Sequence, residues 1–287
     1  MITHYEAATI HQFDAIKHKL ELSLLKAPPV PVDQWHAQDV SDNPTLVSKE
    51  LAHVILEIPI PPDHQLEEDL AGPLGANLPW AEDQFQERVV GEPMNPPPSE
   101  AWWPYAVKSN ARHKEGEKFS HTYPERYWPR YANVGNKAPN GRQIWVPHMG
   151  IRYEYGDLND VVVQLQQHPL TRQAYLPVFF PEDTGARDGQ RIPCSLGYHF
   201  LQRDGILDVT YFIRSCDFVR HFSDDIYMTM RLGQWVAGKI GAEPGTLLMH
   251  ISSLHLFVGD VPLIEARHSA EDAIGATHPN LYKDSWY

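Results

Sequence analysis

The stretch PCSLGYHFLQRDGILDVTYFIRSCD, residues 193–217, decides the fold of this 287-residue chain. Two largely apolar runs, Ser195–Gln202 and Ile206–Ile213, flank Arg203-Asp204-Gly205. Because Asp-Gly adopts the positive φ angles of a tight turn, it predicts a β-hairpin between two such runs.

Regular elements are also predicted outward from this hairpin. Downstream, Ser and Asp residues within 222–226 cap a helix that runs through Met230 and Trp235 to Ile240, where Gly241 ends it, and a last strand covers Leu247–Phe257. Upstream, the periodicity predicts three more elements, which are a helix over 79–91, a helix over 158–167 and a strand over 173–180. No internal repeat is present, and residues 76–150 have the aromatic and proline content of ordered loops.

Composition restricts the partners. Asp+Glu outnumber Lys+Arg by 37 to 24, which gives a net charge of −13. A chain of that charge offers no general basic surface, so we expect neither a nucleic-acid polymer nor an anionic membrane as partner. Two cysteines and the absence of a signal-like or membrane-spanning run predict a cytoplasmic protein.

Two short motifs carry groups that suit nucleotide chemistry. Cys194 follows Pro193 at the start of the hairpin, and Arg214-Ser215-Cys216-Asp217 leaves it. A guanidinium binds two oxygens of a phosphate and a hydroxyl binds a third. Plainer interpretations also exist, namely a small buried cysteine and a surface ion pair between Arg214 and Asp217.

The order of these motifs resembles the thymidylate synthase superfamily. The matching blocks lie between Arg172 and Phe257, and no gap is needed after Cys194. The resemblance implies an α/β (α+β) fold, a mixed twisted sheet covered by helices that dimerises through the sheet. It also implies one catalytic domain over 1–287, with 76–287 as core and 1–75 as a poorly matched extension.

Site roles follow from the resemblance position by position. Cys194 is implied to be the nucleophile that adds to C6 of a pyrimidine, and Tyr123, in the similar block 122–127, the active-site tyrosine. The implied co-substrate is 5,10-methylenetetrahydrofolate, with Asp217 on its pterin. The implied nucleotide ligands are Arg214 and Ser215 on the 5′-phosphate, Arg172 on the phosphate of the other subunit of a homodimer, and His255 on the sugar 3′-hydroxyl.

One departure from the family pattern concerns the base. Counting from Arg214, the family's base-reading Asn falls on Asp225. Cytosine shows an amino donor at N4 and an acceptor at N3, so a carboxyl with one shared proton completes the pair. The helix dipole in the first turn favours the ionised carboxyl, which predicts the proton on cytosine N3. Alternatively Asp224 is the match, and the two acids only cap the helix.

The Asn-to-Asp change resembles deoxycytidylate (dCMP) hydroxymethylases, which are familiar from phages that modify their cytosine. Ser195, Phe257 and Gln173 replace a His, a Tyr and an Arg of the family, and only 32 residues follow His255. A shorter lid admits water, which favours hydroxymethyl transfer. A dCMP, CMP or dUMP C5-methyltransferase that uses hydride from the folate is the alternative, and the choice between ribose and deoxyribose stays open.

The family also uses an upstream glutamate that organises water and protons around the base. The predicted helix over 79–91 offers Glu82 and Glu87, and we prefer Glu87 because of its position near Gly91. A solvated acid on an exposed helix face is the alternative for both.

Two other classes compete. A metal-dependent hydrolase is disfavoured because His250 and His255 are five residues apart in a strand, which predicts opposite faces, and no zinc-type spacing is present. We therefore expect no metal. A non-catalytic nucleotide-binding protein has no need of Pro193-Cys194.

Overall fold

The computed structural model places most of the chain in a single sheet with helices packed on it. It describes residues 2–35, 38–43, 46–62, 67–104, 114–115, 118–119, 121–129, 136–137, 143–144, 156–184 and 192–268. Parts of the aromatic loop region 76–150, the polar loop with Gly185 and Gly189, and the predicted short lid beyond residue 268 lie outside these ranges.

Eight strands form the main sheet, in the order β1-β5-β14-β12-β11-β10, with β2 paired to β5 and β13 to β14. The β5–β14, β11–β12 and β10–β11 pairs are antiparallel, whereas β1–β5 and β12–β14 are parallel. The strands are β1 Thr3–Glu6, β2 Pro29–Val30, β3 Gln34–Trp35, β4 Gln38–Asp39, β5 Ser48–Pro59, β6 Lys114–Glu115, β7 Lys118–Phe119, β8 Asn136–Lys137, β9 Gln143–Ile144, β10 Tyr175–Pro177, β11 Ser195–Arg203, β12 Ile206–Ile213, β13 Cys216–Asp217 and β14 Glu243–Phe257. The mixed sheet of the predicted α/β fold is confirmed.

The described helices are α1 Phe13–Lys26, α2 Glu67–Leu74, α3 Trp80–Val89, α4 Tyr123–Tyr127, α5 Leu158–Gln167, α6 Pro181–Thr184 and α7 Phe222–Ile240, and residues 261–268 are also helical. Helix α7 packs on β12 and β14, α1 packs on β5, and α5 packs on β10, so the core lies between these helices and the sheet. Among the described residues, none of the helices has the length and apolarity that crossing a bilayer requires.

The hairpin and α7 confirm the local predictions. Asp204 and Gly205 both have positive φ, as a tight Asp-Gly turn requires, and Gly241 ends α7 with a φ of 71°. The predicted strand over 173–180 is shorter, since β10 covers only Tyr175–Pro177. Beyond Pro177 the contact with β11 is irregular, because the N–H groups of Val178 and Phe179 both donate to the Leu196 carbonyl, where β11 itself has a register shift.

The start of α7 differs from its prediction. His221 is the N-cap residue and its side chain makes no capping hydrogen bond. Ser223 instead accepts from Lys17 Nζ at 2.9 Å, and Asp224 accepts from Asn77. The expectation that these residues cap α7 is therefore wrong, because both are used to attach α7 to the helices beside it.

Strand β14 is interrupted between Ile251 and Ser253. Its buried residues change from odd to even numbers at this point, and the facing His53 on β5 has a φ of 57°. His250 and His255 therefore lie on the same face, which corrects the prediction of opposite faces. Five residues of strand still separate them by about 17 Å, too far to share one ion.

The N-terminal region supplies part of the sheet. Strand β5 lies between β1 and β14, and Val54, Leu56 and Ile58 are buried in the core. Residues 1–75, for which the sequence predicted little, thus complete the sheet on one side of β14.

Candidate active site

One cavity of about 800 Å³ opens at the end of the sheet where β12, β13 and β14 meet α3, α4 and α7. This volume is in the range of ligand pockets. Among the predicted site residues, those that line it are Tyr123, Cys194, Arg214, Ser215, Asp217, Asp225 and His255. Arg172 and Glu87 are not part of its lining.

Cys194 stands on the chain that leads into β11 and is half-buried. Its carbonyl oxygen accepts from Arg214 N–H at 2.9 Å. The Arg214 guanidinium donates through Nε to the Pro193 carbonyl at 3.0 Å and through Nη2 to the Ile192 carbonyl at 3.1 Å. Arg214 therefore fixes the segment that presents the thiol to the cavity.

Three hydroxyl groups meet beside Cys194. Ser195 Oγ lies 2.6 Å from Tyr211 Oη and donates to Tyr123 Oη at 3.2 Å. Burial, together with the neighbouring Cys194 and Asp225, raises the pKa of Tyr123 to about 12. Tyr123 is therefore a neutral proton donor at the edge of the cavity, and the replacement of a His by Ser195 provides its partner.

Asp225 is the central carboxyl of the site. Burial raises its pKa to about 7, against the opposing effect of the Arg88 guanidinium. Among the described residues, the only hydrogen-bond partner of its carboxyl is the Cys216 thiol, 3.9 Å from Oδ2. In the free protein the Asp225 carboxyl is therefore mostly protonated only below about pH 7, against the expectation of an ionised group, because loss of hydration outweighs the helix dipole; the proton on cytosine N3 in the complex stays a prediction.

Asp224 faces the other way. It accepts from the Asn77 backbone N–H at 2.7 Å and from Asn77 Nδ2 at 2.9 Å. It does not line the cavity. The alternative in which Asp224 reads the base thus has no geometric support, whereas Asp225 lies at the cavity wall.

Asp217 is held by an arginine that the sequence analysis did not select. It accepts from the backbone N–H groups of Val219 and Arg220, each at 3.0 Å, and from Arg220 Nη1 at 3.0 Å. The same guanidinium binds Asp260 at 2.6 and 2.9 Å. Arg220 thereby connects the cavity floor to the segment after β14.

His255 completes the opposite wall. Its ring contacts Phe257 edge-on, with centroids 5.1 Å apart, and burial lowers its pKa. The imidazole is therefore neutral at physiological pH and able to accept or donate a hydrogen bond to a ligand hydroxyl.

Helix α3 presents a face that the sequence analysis missed. Trp80, Gln84 and Arg88 line the cavity at intervals of four residues. Arg88 is buried and lies 4.2 Å from the centroid of the Tyr123 ring, and no described residue makes a hydrogen bond with its Nε. The i, i+4, i+8 spacing was visible in the sequence, but nothing in it showed that this face lines the cavity.

The two candidate glutamates lie behind that face. Glu87 accepts from Ser99, and Glu82 accepts from Arg231 Nε at 3.0 Å and from Tyr227 Oη at 2.7 Å. Neither glutamate lines the cavity. The catalytic role of Glu87 stays a prediction that has to act through other groups.

Aromatic rings form the outer wall. Trp103 stacks on His221, with centroids 5.1 Å apart and an interplanar angle of 13°, and lies 6.1 Å from Trp80. Such a wall suits a flat heterocycle.

Arg172 lies on the exposed turn before β10, away from the cavity of its own chain. Its carbonyl oxygen is 3.1 Å from His199 Nε2. The structure therefore does not bring Arg172 together with Arg214 and Ser215 within one chain.

One group of potential metal ligands occurs among the described residues. The ligand atoms of His18, Glu21 and His268 lie within 4.8 Å of one another, outside the cavity. The Glu21 carboxylate is already paired with Arg267. This pairing competes with a cation, and the group is separate from the site chemistry.

The fold and the cavity together define an α/β protein in which a cysteine, arginines and aromatic rings line one cavity at the end of a mixed sheet. The sequence profile of the family described as thymidylate synthase matches residues 113–277, more than half of the chain. The chain therefore belongs to the thymidylate synthase family.

Curated archaeal relatives agree. A protein of Methanosarcina barkeri is 32% identical over 106 residues, which cover 37% of this chain and 48% of the relative. One of Methanosarcina acetivorans is 30% identical over 113 residues, 39% of this chain and 51% of the relative. Both are named "Putative thymidylate synthase". The chain thus spans about half the length of the curated relatives it matches.

Proposed function

We propose that the protein transfers a one-carbon unit from 5,10-methylenetetrahydrofolate to C5 of dCMP and adds water, which gives 5-hydroxymethyl-dCMP. The observation that carries the proposal is the convergence of Cys194, Arg214 and Asp225 on one cavity. A thiol, a guanidinium and a carboxyl there match the C6 carbon, the phosphate and the base edge of a pyrimidine nucleotide.

The phosphate subsite consists of Ser215 and Arg214. The guanidinium uses Nε and Nη2 for backbone carbonyls, and Nη1 donates to none of the described residues. A phosphate that binds Nη1 and the Ser215 hydroxyl is thereby held next to the segment that carries Cys194. Phosphate binding and placement of the nucleophile are coupled through one side chain.

Asp225 supports the choice of cytosine. With its pKa near 7, the carboxyl holds a proton at and below neutral pH. The protonated group donates to N3 of cytosine and accepts from the N4 amino group, so the pair holds one shared proton. A protonated carboxyl also pairs with N3–H and O4 of uracil, so this group alone does not complete the discrimination.

The reaction balances without an oxidant. The Cys194 thiolate forms a bond to C6, and the electron pair displaced to C5 forms a bond to the methylene carbon, which gives up its bond to one folate nitrogen. Loss of the C5 proton, with cleavage of the bond to the second folate nitrogen, then leaves an exocyclic methylene and releases tetrahydrofolate. Water adds its oxygen to this carbon and gives up a proton. The electron pair that the addition returns to C5 then re-forms the C5–C6 double bond and expels the Cys194 thiolate.

The folate supplies the one-carbon unit and leaves as tetrahydrofolate. The residues present fit such a group, since Trp103 and His221 stack at the outer wall and Asp217 offers a carboxylate that Arg220 fixes. A pterin needs a flat apolar surface and a carboxylate for its amino group and ring N–H.

Product analysis by mass spectrometry tests the proposal. The protein is incubated with methylenetetrahydrofolate and dCMP, dUMP or CMP, beside Cys194→Ser as control. We expect a gain of CH₂O on dCMP, with no product from the variant. Equal products from the two proteins, or no product from any nucleotide, contradict the proposal.

Methyl transfer with hydride from the folate is the second candidate, favoured by the names that the archaeal relatives carry. It releases dihydrofolate, and its product gains CH₂ rather than CH₂O. A rise in absorbance from dihydrofolate during turnover would select this reaction.

We also propose a homodimer in which Arg172 reaches the phosphate of the partner. Thr210, Phe212, Leu248 and His250 are half-exposed on the sheet face opposite to the buried row, which suits a sheet-to-sheet contact. Arg172→Ala and Cys194→Ser are each expected to be inactive. Co-expressed, they form hybrid dimers with one intact site, and failure to regain activity contradicts the shared site.

A further inference from the structure

The amide of Gln84 is held in one orientation by two buried residues behind α3. Gln84 lines the cavity and is 6% exposed, whereas Ser99 is completely buried. Glu87 Oε1 accepts from Ser99 N–H at 2.6 Å, and Glu87 Oε2 accepts from the Ser99 hydroxyl at 2.5 Å. Gln84 Nε2 lies 2.6 Å from Ser99 Oγ.

The number of available protons fixes which atom donates in each of these hydrogen bonds. Ser99 has a single hydroxyl proton, and it donates this proton in the hydrogen bond to the Glu87 carboxylate. Ser99 Oγ is then an acceptor toward Gln84, so the glutamine must turn its NH₂ group to Ser99. Its carbonyl oxygen, to which no described residue donates, remains for the cavity.

The Gln84 oxygen shares the cavity with the carboxyl that is proposed to pair with the base. Gln84 is one helical turn from Arg88, which is close enough to Asp225 for the carboxylate to raise the arginine pKa, and α3 packs against α7. A 4-amino group carries two N–H bonds and satisfies two acceptors, whereas the 4-carbonyl of uracil is repelled by the glutamine oxygen.

We propose that Glu87 and Ser99 are positioning residues that hold the Gln84 carbonyl oxygen toward the 4-amino group of a cytosine nucleotide and thereby complete the discrimination against uracil. The inference rests on the proposed function and adds to it the group that selects the base. Glu87 acts through Ser99 and Gln84 without contact to substrate.

Glu87→Gln reverses the donor and acceptor roles in the hydrogen bonds through the Ser99 hydroxyl. The new NH₂ group donates to Ser99 Oγ, so the Ser99 hydroxyl proton turns to Gln84, whose amide rotates and presents NH₂ to the cavity. Dissociation constants for dCMP and dUMP are measured by calorimetry in the Cys194→Ser background, which prevents turnover. We expect the preference for dCMP over dUMP to fall at least about tenfold.

Glu125→Gln is the matched control. The Glu125 carboxylate also accepts from a backbone N–H, a hydroxyl and an amide, those of Thr122 at 2.8 and 3.3 Å and of Asn95 at 3.0 Å, and it does not line the cavity. It loses the same charge in a similar environment, so its dCMP preference should stay that of the parent. A similar fall in this variant would overturn the inference.

Ser99→Ala provides a second readout if Glu87→Gln does not fold. Without the hydroxyl both amide orientations become accessible, so the preference falls by a smaller factor. An unchanged preference in the folded variants, in a protein whose parent makes hydroxymethyl-dCMP, overturns the inference alone. A parent that neither binds dCMP nor forms product overturns the proposed function as well.

Discussion

Asp224 and Asp225 are neighbours in the first turn of α7, yet they face two different regions of the molecule. Asp224 faces α1 and α2, where Asn77 donates to both its oxygens and Lys17 lies nearby. Asp225 faces the cavity and has no amide donor among the described residues. Burial raises the pKa of both, but only that of Asp225 to about 7.

The difference shows that burial by itself does not mark a functional carboxyl. Amide and ammonium partners partly offset the lost hydration of the Asp224 carboxylate, so this residue serves to attach α7 to the segments packed beside it. Asp225 lacks them and keeps its proton until a ligand shares it. The helix turns about 100° per residue, so adjacent positions can serve these two regions.

The largest effect is expected on base preference. Asp225→Asn should lower kcat/KM for dCMP by at least about 100-fold, because an amide has no proton to transfer to cytosine N3, and raise that for dUMP, whose O4 and N3–H an amide pairs with. Asp224→Asn should change the ratio of the two values by less than about threefold. Steady-state kinetics with dCMP and dUMP measure this ratio. An equal loss of preference in both variants would remove the distinction between the two regions.

The second expected effect is a pH dependence of the affinity for dCMP. Binding of dCMP needs one proton on the Asp225–cytosine pair, and above about pH 7 this proton has to come from solution. Affinity is expected to fall about tenfold per pH unit there. Calorimetry between pH 6 and 9 tests the slope, which Asp225→Asn should abolish and Asp224→Asn should keep. A flat profile in the unmodified protein contradicts a proton-sharing Asp225.

The substitutions Asp225→Asn and Asp224→Asn should change the free energy of unfolding in opposite directions. Because the folded-state pKa of Asp225 lies above the unfolded value, the folded protein loses stability as pH rises from about 4 to about 7. The shift corresponds to about 4 kcal/mol, of which about 2 remains after discounting for solvent in the cavity. Asp225→Asn should therefore stabilise the fold by about 2 kcal/mol at pH 8, and this gain disappears at pH 4.

Asp224→Asn should instead destabilise the fold by about 1–3 kcal/mol, since its new NH₂ group faces a donor of Asn77. Urea unfolding of both variants at pH 4 and 8 provides the comparison. Destabilisation by Asp225→Asn at pH 8 would show that its carboxyl is satisfied in the fold.

The smallest effect is expected at Lys17. Its ammonium donates to Ser223 Oγ and to the Leu74 carbonyl, on the Asp224 side only. Lys17→Met should cost about 1 kcal/mol of stability and leave the nucleotide preference unchanged. Thermal unfolding and the kinetic ratio measure the two quantities. A changed preference would show that the two regions are coupled.

Local patterns predicted the local structure. The Asp204-Gly205 turn, the Gly241 end of α7 and the helix over 158–167 follow from backbone preferences and apolar periodicity, and the structure confirms them. Motif order also selected seven residues that share the cavity, because residues at strand ends and at a helix start converge at the same end of the sheet.

Properties that depend on distant neighbours were not accessible. Gln84 and Arg88 lie on a helix with several polar faces, and which face meets the cavity depends on the packing of α3 against α7. The proton on Asp225 depends on burial by segments far away in sequence. The interruption of β14 at Ser252 arises with its partner His53, nearly 200 residues earlier.

The pairing of β5 with β14 has a consequence for synthesis. Val54 lies opposite Ile251, so β5 leaves the ribosome 197 residues before its central partner exists. At roughly 5–20 residues per second, the delay is on the order of 10–40 seconds. During this time the edge of β5 that later pairs with β14 stays unpaired, and an unpaired edge on a strand with apolar residues is a site of aggregation.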